Sequence, residues 1–271
     1  MSATSSRRIT AEDLYRFQMP TDCRISPDGK LVAYGLKRIA KKTEKKYTNL
    51  WLVSTESGKG KAFTRGNHND HSPRWSPDGK TIAFISNRDA EKQSQLYLIP
   101  LDGGEARKLT DLKGEIGEFH WSPDGHKLLL QFRKTDPAVL EREKDASKKK
   151  LGVVARHFDR VFFKLDEHGF LPQERWHLWL VDASTGKVRQ LTDHPVYDEE
   201  TPTWSADGKL IAFVSNHSKE PDLDPDNMDL FIVSAHGGSA KKIPTPEGPK
   251  YHPVFSPDGK WIAYMGVAGK G

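Results

Sequence analysis

His68, Asp70 and His71 lie within four positions of one another, and two imidazoles with a carboxylate can ligate a metal. The spacing would suit one helix face, yet these residues precede a strand, so they read as polar loop positions. Arg156-His157-Phe158-Asp159-Arg160 brings two guanidiniums into one short segment, and Arg175 follows. A guanidinium fork there could hold a substrate carboxylate; the plainer reading is ion pairing to neighbouring loops. Ser239 lies in Gly237-Gly238-Ser239-Ala240-Lys241, which lacks the last glycine of the Gly-x-Ser-x-Gly nucleophile elbow. No Gly-rich phosphate loop runs from a strand into a helix. Cys23 is the single cysteine, so an internal disulfide and a cysteine-rich zinc site are excluded. No catalytic residue, metal or cofactor is expected.

The elements that position these groups come from an internal repeat. Ser-Pro-Asp-Gly-Lys occurs at Ser26–Lys30, Ser76–Lys80 and Ser256–Lys260, with near copies at Ser122–Lys127 and Ser205–Lys209. The first serines are 50, 46, 83 and 51 residues apart. The long interval is one period plus an insertion of roughly 35 residues. Proline presets φ, aspartate caps its own backbone and glycine accepts positive φ, so the motif is a turn and its serines are not nucleophiles.

Each repeat places an aliphatic or aromatic residue before the serine: Ile25, Trp75, Trp121, Trp204, Phe255. A short apolar run follows the turn, such as Ile82-Ala83-Phe84. A third run reads Leu-aromatic-aliphatic-aliphatic, as in Leu96-Tyr97-Leu98-Ile99, and a fourth ends near Leu-Thr, as in Leu191-Thr192. Runs of four to six β-branched and aromatic residues between turn signals are strands. Four strands (A to D) per ~45–50 residues predict an all-β propeller of four-stranded antiparallel blades. Thr10 caps a short N-terminal helix with Glu12 and Asp13 in its first turn. Asp136-Pro137 starts a helix over 137–150 inside an insertion spanning 133–176.

The expected organisation is a helical segment at 1–21 and a propeller at 22–271. The fifth repeat has only strands A and B, leaving about four and a half blades. An open ring leaves unpaired edges, so the chain is expected to be the front part of a longer protein. In an antiparallel blade the B–C and D–A loops emerge at one end. The basic segment 37–46, the insertion, His68–His71 and Tyr197–Glu200 are therefore all expected on one face.

Composition agrees. With 271 residues and 10% aromatics the chain can bury a core. No apolar run reaches the ~20 residues of a membrane helix, and the start of the chain does not read as a secretory signal. A soluble, cytoplasmic protein is the default expectation. The net charge of +5 is concentrated in residues 37–46, with six positive charges and one negative, and in 133–156, with eight and four. Charge confined to two segments argues against nucleic acid as the partner.

The opening Ile9-Thr10-Ala11-Glu12-Asp13-Leu14, the Ser-Pro-Asp-Gly blades, Leu165-Asp166-Glu167-His168-Gly169-Phe170 and Arg175-Trp176-His177-Leu178-Trp179-Leu180-Val181-Asp182 resemble the N-terminal propeller of the prolyl oligopeptidase family of serine peptidases. The acylaminoacyl-peptidase and dipeptidyl-peptidase-like branch is the nearest. TolB-type propellers share the turn motif, so a TolB-like protein-interaction scaffold is the alternative. The resemblance implies a propeller that gates substrate access to a C-terminal α/β-hydrolase domain carrying a Ser-Asp-His triad. Residues 9–271 hold no such domain, so the chain is expected to be inactive alone. Implied partners are that domain and peptide substrates, with homo-oligomerisation left open. The substrate-facing candidates are Arg156, His157, Arg160, Arg175, Glu199 and Glu200. The last two are named because paired glutamates on a propeller bind a free amine in dipeptidyl-peptidase relatives.

Overall fold

The computed structural model describes residues 7–150, 157–158, 160–166 and 169–269. The chain forms two compact units, 1–109 and 110–271.

The first unit opens with a 3-10 helix, Ala11–Arg16. Its N-terminus is closed by a capping box between Thr10 and Asp13, and Arg7 pairs with Asp13. Two four-stranded antiparallel sheets follow, each in sequence order. The first comprises β1 (Met19–Ile25), β2 (Leu31–Ala40), β3 (Lys45–Ser54) and β4 (Gly60–Ala62). The second comprises β5 (Asp70–Trp75), β6 (Thr81–Ser86), β7 (Gln95–Pro100) and β8 (Arg107–Lys108). The sheet begins at Met19, so the expected boundary after residue 21 falls inside β1. The basic segment 37–46 is not a loop. β2 and β3 stay paired out to Ala40↔Lys45, and only four residues turn. Local ladder hydrogen bonds extend this hairpin well past the six-residue strands of the second sheet.

The second unit carries the third sheet: β9 (Gly114–Trp121), β10 (Lys127–Lys134), and then, beyond the insertion, β13 (Trp176–Asp182) and β14 (Val188–Gln190). The insertion contains helices α1 (Pro137–Lys144) and α2 (Ala146–Lys150) and a small hairpin, β11 (Lys164–Leu165) and β12 (Gly169–Phe170). Neither helix has a buried residue, as expected from a segment without an apolar face. The fourth sheet is β15 (Glu199–Trp204), β16 (Leu210–Ser215), β17 (Asp229–Ser234) and β18 (Lys241–Lys242). A two-stranded sheet follows, β19 (Lys250–Phe255) with β20 (Ile262–Gly266).

Every Ser-Pro-Asp-Gly turn has one construction. The serine Oγ donates to the aspartate Oδ1 at 2.5 to 2.7 Å. It also accepts the backbone N–H five residues on, at 2.9 to 3.0 Å. The turn glycines have φ of 69 to 73°, a conformation that only glycine adopts at no steric cost. A bulge recurs in the strand before the turn: Asp22, Ser72, Thr201 and His252, each four residues ahead of the serine, take positive φ. Their recurrence marks them as blade architecture.

Sheets within a unit pack face to face. Ala33, Leu50 and Leu52 of the first meet Trp75, Ile82, Phe84 and Tyr97 of the second. Leu129, Leu178 and Leu180 of the third meet Trp204, Ile211, Phe213 and Phe231 of the fourth. The Leu-Thr signal also has a cause. Thr64 and Thr192 accept the N–H of Leu50 and Leu178, each at 2.9 Å, closing the fourth strand onto the third.

Candidate functional site

In the second unit, three segments come together: the insertion, the β14–β15 loop and the β16–β17 loop. Arg160 forks onto Asp222 of the β16–β17 loop, Nε to Oδ2 at 3.2 Å and Nη2 to Oδ1 at 3.0 Å. The Phe162 N–H donates to the same carboxylate at 3.3 Å. Burial pushes the Asp222 carboxyl up. The Arg160 and Phe162 hydrogen bonds, with the charges of Arg160 and Arg175, outweigh it and hold the group below its ordinary range.

Arg175 reaches Asp198 through Nη1 at 3.3 Å, and the Trp176 N–H donates to Asp198 at 2.7 Å. Arg175 Nε is sealed from solvent and has no acceptor among the described residues. The insertion's exit is tied further by the Glu174 N–H to Asp136 at 3.2 Å.

Glu199 opens β15 and is buried. His177 Nδ1 lies 2.7 Å from its Oε2, and Thr192 Oγ1 donates to it at 3.0 Å. Gln131 Nε2 donates to the Glu199 carbonyl at 2.9 Å. Burial pushes the Glu199 carboxyl up despite these two side-chain partners. Glu200 points the other way and is exposed.

The structure thus brings Arg160, Arg175, Glu199 and Glu200 to neighbouring segments of one unit. Arg160 and Arg175 already hold carboxylates of the protein, and Glu199 is enclosed with His177. His157 is exposed on the insertion, and Arg156 lies outside the described residues. Sequence reasoning missed Asp222 and His177. Asp222 belongs to an acid-rich loop, Glu220–Asp226, with nothing local to mark it as the partner of an arginine 62 residues away.

A column of rings runs outward from the fourth sheet. Phe231, His217, Tyr197 and His194 stack with successive centroid distances of 4.1, 4.1 and 3.9 Å. Burial, then the charge of His194, lowers the His217 pKa. On the insertion, Phe158 lies 4.9 Å from Phe163 and 5.5 Å from Phe170, centroid to centroid, and all three are exposed.

In the first unit, Asp70 is fully buried, and Arg88 Nη2 donates to both of its carboxylate oxygens at 2.9 and 3.0 Å. His68 Nε2 lies 3.2 Å from Asp70, whereas His71 Nδ1 faces Ser72 Oγ at 3.0 Å. Burial lowers the His71 pKa. Among the described residues no three histidine, cysteine or acidic side chains are grouped to hold a metal. A cleft of about 540 Å³ beside His68 is lined by Lys45, Tyr47, Asn87, Arg88 and Glu91. Ser239 lies in the turn between β17 and β18, where no helix follows.

The family model for the TolB beta propeller domain matches residues 3–162. The uncharacterised peptidase YuxL of Bacillus subtilis is 32% identical over 83% of this chain and 34% of its own length. Dipeptidyl-peptidase 5 of Porphyromonas endodontalis is 27% identical over 97% of this chain and 39% of its own. The solved structure of Pyrococcus horikoshii acylaminoacyl peptidase superposes with a TM-score of 0.66 at 22% identity, over 89% of this chain and 34% of that one. The chain therefore spans between a third and two fifths of the length of these curated relatives. It belongs to the TolB β-propeller domain family, and it matches the propeller part of prolyl oligopeptidase-family peptidases.

Proposed function

We propose that this chain is the substrate-gating propeller portion of an oligopeptidase-type serine peptidase acting on peptides, and that it has no hydrolytic activity by itself. The observation that carries this reading is the gathering of the insertion and two loops at one site of the second unit. That site combines guanidiniums, carboxylates and exposed phenylalanines on a rigid sheet scaffold, the usual setting for recognition. The named peptidases among the relatives supply the class of substrate. The partner of this surface is an α/β-hydrolase domain of the same protein, which carries the nucleophile.

The test uses the complete open reading frame containing these residues. A fluorophosphonate probe should label its product and leave residues 1–271 unlabelled. Shortening the insertion should raise kcat/KM for long peptides relative to short ones. Labelling of the chain alone, or a product without peptidase activity, overturns the reading. The second outcome favours a TolB-like interaction scaffold, which the family model supports.

A further inference from the structure

We propose that Arg160 and Arg175 form a receptor for a peptide α-carboxylate, occupied in this structure by the protein's own Asp222, and that the peptide ends in an apolar residue. The proposal rests on the peptide-processing reading and names the end of the peptide that the insertion holds.

Asp222 sits as a ligand carboxylate would. It takes two parallel bonds from the Arg160 guanidinium and a third from the Phe162 N–H. A fork and a backbone donor recognise any carboxylate of that geometry, whichever chain it comes from. Asp222 is carried on a connecting loop, so it can be exchanged without breaking a sheet ladder. The pair is largely shielded, with side chains 15% and 18% exposed, so an incoming anion meets weakly screened charge.

Arg175 supplies the second, independent observation. Its charge acts on Asp222, its side chain is 11% exposed, and its Nη1 contact to Asp198 is long at 3.3 Å. Its Nε–H is inaccessible to solvent and reaches no acceptor among the described residues. Buried guanidinium donors are normally satisfied. A carboxylate shared between Arg160 and Arg175 would satisfy this one, which Asp222 does not reach.

The side chain of the terminal residue has a place as well. Phe158 and Phe163 flank Arg160 and Phe162 in sequence and form an exposed ring cluster with Phe170. An apolar terminal residue would cover these rings while its carboxylate meets the arginines.

The test compares N-acetyl-Ala-Phe with its C-terminal amide on the protein, followed by the NMR signals of the arginine Nε–H groups. The acid should shift the Arg175 Nε–H signal and the amide should not. Arg160→Lys and Arg175→Lys keep the charge and lose the fork, so each should weaken binding of the acid about tenfold. Asp222→Asn removes the resident competitor and should tighten it about fivefold. A purely structural ion pair predicts the opposite for Asp222→Asn. Acid and amide acting alike on the wild type, no shift with either, or an Asp222→Asn variant that binds no tighter overturns the receptor. If the receptor fails while the complete product still cleaves peptides, the peptidase reading stands. If the complete product cleaves none while the acid still binds here, that reading falls alone.

Discussion

The indole Nε1–H of Trp75 donates to the backbone carbonyl of Arg24 across 2.9 Å, tying the second sheet to the first strand of the first. Trp204 repeats the relationship with the carbonyl of His120 at 3.3 Å, tying the fourth sheet to the third. Trp75 and Trp204, each the residue before a motif serine, are thus inter-blade staples. Trp75→Phe keeps most of the packing and orphans the Arg24 carbonyl, so it should lower stability by about 1–2 kcal/mol. Trp75→Ala should lose about 3–5 kcal/mol. Urea unfolding followed by circular dichroism separates the two; a Phe variant as stable as wild type would show the bond to be incidental.

The turn aspartates make the fold acid-sensitive. Asp28, Asp78, Asp124, Asp207 and Asp258 are all held below the ordinary carboxylate range, first by the serine hydroxyl and then by the backbone N–H two residues on. A depressed folded pKa stabilises above the unfolded value near ~3.9 and the gain is lost as pH falls through the folded value. The melting temperature should therefore be insensitive to these groups from neutrality down to about pH 5 and fall below about pH 4. Asp78→Asn should lower the melting temperature at pH 7 and flatten the acid limb. An unchanged acid limb in that variant would remove the turns from the explanation.

His177 and Glu199 form a buried pair across the third and fourth sheets, 2.7 Å apart. Glu199→Ala would leave His177 and Thr192 without their acceptor inside the protein, and should cost about 3 kcal/mol. Glu199→Gln keeps an acceptor oxygen and should cost about 1 kcal/mol. Burial raises the Glu199 carboxyl, so the folded state takes up this proton at higher pH than the unfolded chain does. Glu199 alone therefore favours folding on acidification, opposite in sign to the turns. Proton uptake on refolding across the acid range, measured with and without Glu199→Gln, checks the sign.

The same two positions of the next sheet pair hold the acid and the base in the opposite order. Asp229, which like His177 precedes the leucine of the third strand, pairs with Lys250 at 3.2 Å, and Lys250 is 4% exposed. Lys242 also contacts Asp229. Asp229→Asn should destabilise by about 3 kcal/mol in wild type and by much less in a Lys250→Met background, because buried Lys250 without its partner is the expensive state. Equal effects in both backgrounds would dissociate the two residues.

Much of this was legible in order along the chain. The turns and the Leu-Thr closures depend on partners five to 14 residues away, so their chemistry is written locally. The basic hairpin shows the limit. Six positive charges between Lys37 and Lys46 read as a loop, while cross-strand pairing from Lys37↔Thr48 to Ala40↔Lys45 makes most of the segment strand.

The candidate site was legible as residue types and not as states. By itself the sequence determines a four-strand period, the turn that punctuates it, and arginines and glutamates in the connections. Only the tertiary structure decides that Arg160 is matched by Asp222, that Glu199 is enclosed with His177 while adjacent Glu200 faces outward, and that Arg175 keeps a buried donor unmet. The reason is physical. Alternation along a strand sends neighbouring side chains to opposite faces, and the worth of a charge depends on its partner's distance and on the water it has lost.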